Sequence, residues 1–331
     1  FARLDTLAPD QHLLHADALF HTGRYDRAEG AYLAYLDDVD GDPVIWKKIG
    51  DCRFFMGRYD EAITAYERAL ESTPDDPILL ELYGDALLEV LRREEAYTAF
   101  EHALLASPDN PALLVKTADT LALLNRETEA LALYDRLTLG GDADASLWRR
   151  RGNLLEKLER YDPALTSFEE ALRLDPTDSV SMLGSARCLI SLSRFEEAHG
   201  ILSTLVSEIP GDPRIWHMLG TVLESLHRPD EALLAYEHIP DETPVQRGIL
   251  LFESGRHDEA FSLLSSNPDK LSSRPEALKA LSKSSMAIGM EDEALALVGQ
   301  QVDEMTNDSG TLLLYAELLA SASRPDDALA A

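Results

Sequence analysis

The side chains able to do chemistry are thinly spread along this chain. His12 and His15 lie on one helical face with His21 nearby, a spacing that a metal ion could use. No cysteine and no third well-placed ligand joins them, so no metal site is expected. Asp37, Asp38, Asp40 and Asp42 look at first like a calcium loop, but the central glycine and terminal glutamate that such a loop needs are out of step. The run reads as a solvated turn. Gly140-Gly141 stands without the other glycines of a phosphate cradle and reads as a flexible join. No nucleophile, base and orienting group occur together, so neither enzymatic activity nor a cofactor is expected.

Charge narrows the partners. Among 331 residues, 60 are acidic and 30 basic, a formal charge of −30. Nucleic acid and anionic membrane surfaces require the opposite balance. There is no apolar run near the length of a membrane span, no secretory signal and no disulfide framework, so the cytoplasm is the expected compartment. The two cysteines, Cys52 and Cys188, hold the same place in segments four repeats apart and are not expected to bridge.

What would position any site is a repeat. Counting by 34 in both directions from Ala62 reaches Ala28, Ala96, Ala130, Ala164, Ala198 and Ala232, and after one shortened step Ala260, Ala294 and Ala328. Trp46, Trp148 and Trp216 keep the same register. Within residues 43–76, apolar side chains at Ile45, Trp46, Ile49, Cys52 and Phe55, and again at Ile63, Tyr66, Ala69 and Leu70, recur three or four apart. That spacing predicts two amphipathic helices joined by Gly57-Arg58-Tyr59. The second helix is expected to open on a capping residue such as Asp26, Asp60, Thr128, Asp162 or Asp230, and to close before Pro74, Pro108, Pro176 or Pro210. The eighth place is always small: Ala16, Gly50, Gly84, Ala118, Gly152, Ala186, Gly220, Gly248, Ser282, Ala316. Glycine inside a helix costs about 0.5–1 kcal/mol relative to alanine, so its reuse implies a close helix crossing. Tyr32, Tyr66, Phe100, Tyr134, Phe168, Leu202 and Tyr236 are the expected knobs around that crossing.

A period of 34 residues built from two helices resembles the tetratricopeptide repeat. The resemblance covers nearly the whole chain and implies an all-α fold, a right-handed α-solenoid of about ten helix-turn-helix repeats. Residues 1–8 read as the tail of a preceding repeat and 9–240 as a regular array whose seventh repeat is shortened. Residues 241–331 read as three divergent repeats, the last truncated and all continuous with the array. The lost turn near Pro240 is expected to change the curvature locally. Neither end carries a polar cap, which suggests an excised fragment or ends that stack on something.

In this family the first helices line the concave face. Carried onto this sequence, the resemblance places Asp17, Asp51, Asp85 and Asp119 down one wall as a carboxylate ladder, with Phe20, Lys47, Phe54 and Phe55 beside them. Repeats five to seven place Arg149, Asn153, Arg187, Arg214 and His217 in equivalent positions, so the sign reverses. The family's carboxylate clamp for chaperone tails is not matched, because Arg187 stands where asparagine is expected and His217 and Thr221 replace a lysine and an arginine. The resemblance thus implies a protein-interaction scaffold that binds an extended peptide or a partner helix in its groove. Two other readings remain: the targeting arm of a larger enzyme, such as a glycosyltransferase or methyltransferase, and an assembly module that stacks end to end.

Overall fold

A computed structural model describes residues 9–38, 41–141, 143–271, 274–304 and 309–322. The proposed tail at 1–8 and the positions Asp40 and Ala328 lie outside them. The described residues form nineteen α-helices and no strand. The first five helix pairs are α1 Pro9–His21 with α2 Tyr25–Asp38, α3 Pro43–Phe55 with α4 Tyr59–Ser72, α5 Pro77–Glu89 with α6 Arg93–Ala106, α7 Pro111–Leu123 with α8 Glu127–Leu139, and α9 Ala145–Lys157 with α10 Tyr161–Leu174. Then come α11 Ser179–Ser191 with α12 Phe195–Glu208, α13 Pro213–Ser225 with α14 Pro229–Glu237, α15 Pro244–Glu253 with α16 His257–Ser265, α17 Pro275–Ile288 with α18 Glu291–Glu304, and α19 Ser309–Ser321. The chain is an all-α solenoid of helix pairs, divided into two compact units, Phe1–Pro176 and Thr177–Ala331.

The caps sit on the first helices, not the second. Asp42, Asp76, Asn110, Asp144, Asp178 and Asp212 each accept a hydrogen bond from a backbone N–H in the first turn of α3, α5, α7, α9, α11 and α13, satisfying donors that the helix itself leaves free. The expected caps at Asp60, Asp162 and Asp230 fall inside the first turn of α4, α10 and α14, and the N-cap position is taken by Arg58, Arg160 and Arg228. The reason lies in the preceding residue. Gly57, Leu91, Asn125, Glu159, Ser193, His227 and Gly255 are left-handed, and the next N–H reaches back to close a Schellman turn, as from Arg58 to the Arg53 carbonyl at 2.9 Å and from Arg92 to that of Leu87 at 2.9 Å. The arginine ends one helix and starts the next with no room for a side-chain cap.

The small eighth place is explained by the knob. A Cβ added to Gly50 would stand 2.4 Å from the Tyr66 ring, one on Gly84 2.5 Å from Phe100, one on Gly152 2.8 Å from Phe168 and one on Gly220 2.3 Å from Tyr236. Each ring packs against its glycine and is fully buried, as are Ala62, Ala96, Ala164 and Ala232.

In the first unit each helix packs against the next in sequence. Between repeats one and two the buried Glu29 carboxylate receives the guanidinium of Arg53 at 2.7 Å and that of Arg58, so both charges are paired as burial requires. In the second unit the order changes: α14 and α16 have only nine residues against fourteen in α12. Beyond them α17 lies directly on α15 as well as on α16, and α19 on α17.

Candidate functional site

The ladder residues of the first unit occupy one register place on α1, α3, α5 and α7, and the fold uses all four. Asp17 accepts from the Tyr32 hydroxyl at 2.5 Å and from Lys48 at 2.5 Å. Asp51 accepts from Tyr66 at 2.8 Å and pairs with Lys47 at 3.4 Å. Asp119 accepts from Tyr134 and from Arg150. Asp85 has no phenol, since Phe100 stands in that place, and takes Lys116 at 2.6 Å, which also holds Glu81 at 2.7 Å. Asp17 and Asp119 follow one scheme in full, a tyrosine fifteen residues on in the same repeat and a base thirty-one residues on in the next, while Asp51 keeps the tyrosine and Asp85 the base. Sequence reasoning missed the tyrosine and base partners, although their constant offsets were there to be found.

The electrostatics follow from these partners. Burial pushes the Asp17 carboxyl up, but hydrogen bonds from Lys48 and Tyr32 outweigh it and hold the group below the ordinary carboxylate range. At Asp85 burial wins, with Glu81 and Glu89 adding repulsion, and its carboxyl is raised despite Lys116. Lys116 is raised as well, because its two carboxylates outweigh its own desolvation. One ammonium serving two acids is held tightly while each acid is half served. Burial, reinforced by Asp51 and Glu29, also raises the Cys52 thiol to about 12, which leaves it inert as a nucleophile near neutrality.

The aromatic residues predicted beside the ladder do come together. Phe20 meets Phe55 at 5.9 Å and Tyr25 at 5.4 Å, Tyr25 stacks on Phe55 at 5.0 Å, and Phe54 contacts Phe55 at 6.1 Å and Tyr59 at 5.3 Å. Phe55 is 58% exposed even so. Tyr25 and Tyr59 open α2 and α4 and were not singled out from the sequence. Further along the unit, Asp119, Ala122, Leu123, Tyr134, Arg150, Asn153, Leu154 and Lys157 line a cleft of about 500 Å³. Arg149, in the preceding turn of α9, is engaged by other groups of the chain.

In the second unit, Arg187 is likewise engaged within the chain. Arg214 folds back on Asp212, the N-cap of its own helix, at 2.7 Å, and His217 lies edge-on to Tyr236 at 5.9 Å. The Tyr236 hydroxyl donates to Glu224, which takes over the carboxylate role where Thr221 holds the ladder position. His12 is buried, and His21 packs against Phe20. Among the described residues no group of three or more His, Cys, Asp or Glu could hold a metal ion, and no helix is long and apolar enough to cross a membrane.

Sequence profiles described as "Tetratricopeptide repeat" match residues 155–221 and residues 2–43 and 84–147, and one described as "TPR repeat" matches residues 50–90. No curated protein matches the sequence. Among solved structures, the C-terminal part of a TPR repeat-containing protein from Cytophaga hutchinsonii is similar, with a TM-score of 0.60 and 18% identity over 69% of this chain and 94% of that one. PilF of Pseudomonas aeruginosa superposes with a TM-score of 0.50 and 17% identity, over 62% of this chain and 93% of that one. At these identities the likeness speaks for the fold alone. With the 34-residue register, the glycine-to-ring crossings and profile matches reaching from residue 2 to residue 221, the chain belongs to the tetratricopeptide-repeat family.

Proposed function

We propose that the protein is a non-catalytic scaffold that binds an extended peptide or a partner helix across the exposed faces of its first helices. The family's fold is generally an interaction module, which supports the coarser half of that reading. The finer half rests on the cleft between α7 and α9. Ala122, Leu123 and Leu154 give it an apolar lining, and Asn153 is exposed beside them. A side-chain amide offers donor and acceptor together, the complement of a peptide group, which presents one N–H and one C=O. Arg150 and Lys157 at the rim are already tied to Asp119 and, at 2.8 Å, to Glu127, so they orient a ligand more than they attract an anion.

Selection of peptides from a display library on the purified chain, followed by fluorescence polarisation on variants, tests this. Asn153→Ala should weaken a selected peptide about tenfold, in line with the loss of hydrogen bonds at a desolvated site, and Glu169→Ala on α10 should leave it unchanged. Peptides that bind with equal affinity to every first-helix variant would remove the reading.

A further inference from the structure

The patch of Phe20, Tyr25 and Phe55 is preformed. The Phe55 ring is stacked by Tyr25 and braced edge-on by Phe20 and Phe54, so little side-chain freedom remains to be lost on contact. Yet it is more than half exposed. The repeat does not require it, since the equivalent places on α1, α5, α7 and α9 hold His21, Glu89, Leu123 and Lys157. An exposed, rigid aromatic cluster that stacking does not demand marks a contact surface.

Its neighbour on the next repeat fixes the partner's chemistry. Glu81, Asp85 and Glu89 follow one another turn by turn along α5, and a single ammonium, Lys116, serves the first two. Glu89 is exposed and has no ion-pair partner among the described residues. It holds on α5 the register place that Phe55 holds on α3, so stacking sets the two at the same end of neighbouring first helices. By contrast, Asp17 and Asp51 beside the patch are each matched by a lysine. Glu81, Asp85 and Glu89 thus leave negative charge incompletely paired on the α5 side of the aromatic patch.

We infer that this surface receives a partner segment with a large apolar side chain, seated on Phe55 and Tyr25, followed by lysine or arginine directed at Glu89 and Asp85. This rests on the scaffold reading and adds to it the ligand's composition and direction, since opposite charge at one end sets register.

Three short fluorescein-labelled peptides in a glycine-serine frame serve as probes: one with phenylalanine followed by two lysines, one with those lysines replaced by glutamates, and one with the phenylalanine replaced by serine. Fluorescence polarisation should show the first binding and the other two at least about tenfold weaker. Phe55→Lys and Glu89→Lys should each weaken the first peptide by about tenfold or more. Both positions are exposed, and lysine already occupies their register place at Lys157, so unchanged helical circular dichroism is expected. Equal binding of the glutamate peptide, indifference to Phe55→Lys, or no binding of the first peptide overturns the inference. Display-selected peptides that need Asn153 and ignore Phe55 would sink it while leaving the scaffold reading intact.

Discussion

Asp17 and Asp85 occupy the same place in their repeats, and their surroundings shift the two carboxyls in opposite directions. Asp17, which receives the Tyr32 hydroxyl as well as Lys48, is held below the ordinary range, whereas burial raises Asp85, which faces Phe100 and two further glutamates. The two therefore contribute to stability with opposite sign. For Asp17 the folded value lies below the unfolded one of about 3.9, so its contribution is present above that pH and is lost as pH falls through the folded value. For Asp85 the folded value lies above the unfolded one. Its charge opposes folding near neutrality, and stability is regained as pH falls through the folded value towards about 3.9. Asp17→Asn should lower the melting temperature at neutral pH and flatten the loss in acid. Asp85→Asn should leave the neutral melting temperature unchanged or higher and abolish the mildly acidic gain. Thermal melts followed by circular dichroism across the acidic range read both, and an equal loss at neutral pH in the two variants would show that their environments do not differ as described.

At the scale of the element, the turn between paired helices asks for a left-handed residue whatever the sequence supplies. Gly57 meets that demand without strain at φ 72°, but Leu91 adopts φ 62° and is 72% exposed. A left-handed conformation costs an ordinary residue roughly 1–2 kcal/mol, offset in part by the extra freedom that glycine gives the unfolded chain. Leu91→Gly should therefore stabilise the protein by about 0.5–1 kcal/mol in urea unfolding, and a loss of stability would mean that the leucine makes a contact worth more than its strain. The same turn shows what was legible in the sequence. The helix pairs, their closing prolines and the small residue at each crossing could be read because they repeat, and core positions are dictated by a local period. The capping scheme was misassigned because the acidic residues at Asp60 and Asp162 have the right composition but stand two residues past the cap position, which is taken by the Schellman-closing Arg58 and Arg160. The aspartate row was legible as a row, but its partners were not, because Tyr32 meets Asp17 only when the two helices of one repeat cross, and Lys48 and Arg150 meet the row only when successive repeats stack. Division into units at Pro176 left no mark in the repeat register.

For the whole molecule the dominant quantity is a charge of −30. Many of its ion pairs are exposed links within one helix start, such as Arg92 with Glu95 at 2.5 Å, Arg194 with Glu197 at 2.6 Å and Arg256 with Glu259 at 2.6 Å, and such pairs contribute little. Self-repulsion among the surplus acids is the larger electrostatic effect, and salt weakens it once the screening length falls to about 10 Å at 0.1 M. Raising potassium chloride from about 0.02 M to about 0.5 M, across that screening range, should therefore raise the melting temperature. A fall would mean that the surface pairs outweigh the repulsion. A partner bearing lysine or arginine responds in the opposite direction, because the charge that strains the fold is the charge that draws the partner in, and its association slows as the field is screened. Stability rising while association slows over one salt series would mark the same surplus of carboxylates as a cost to the folded chain and as the source of its attraction for basic ligands.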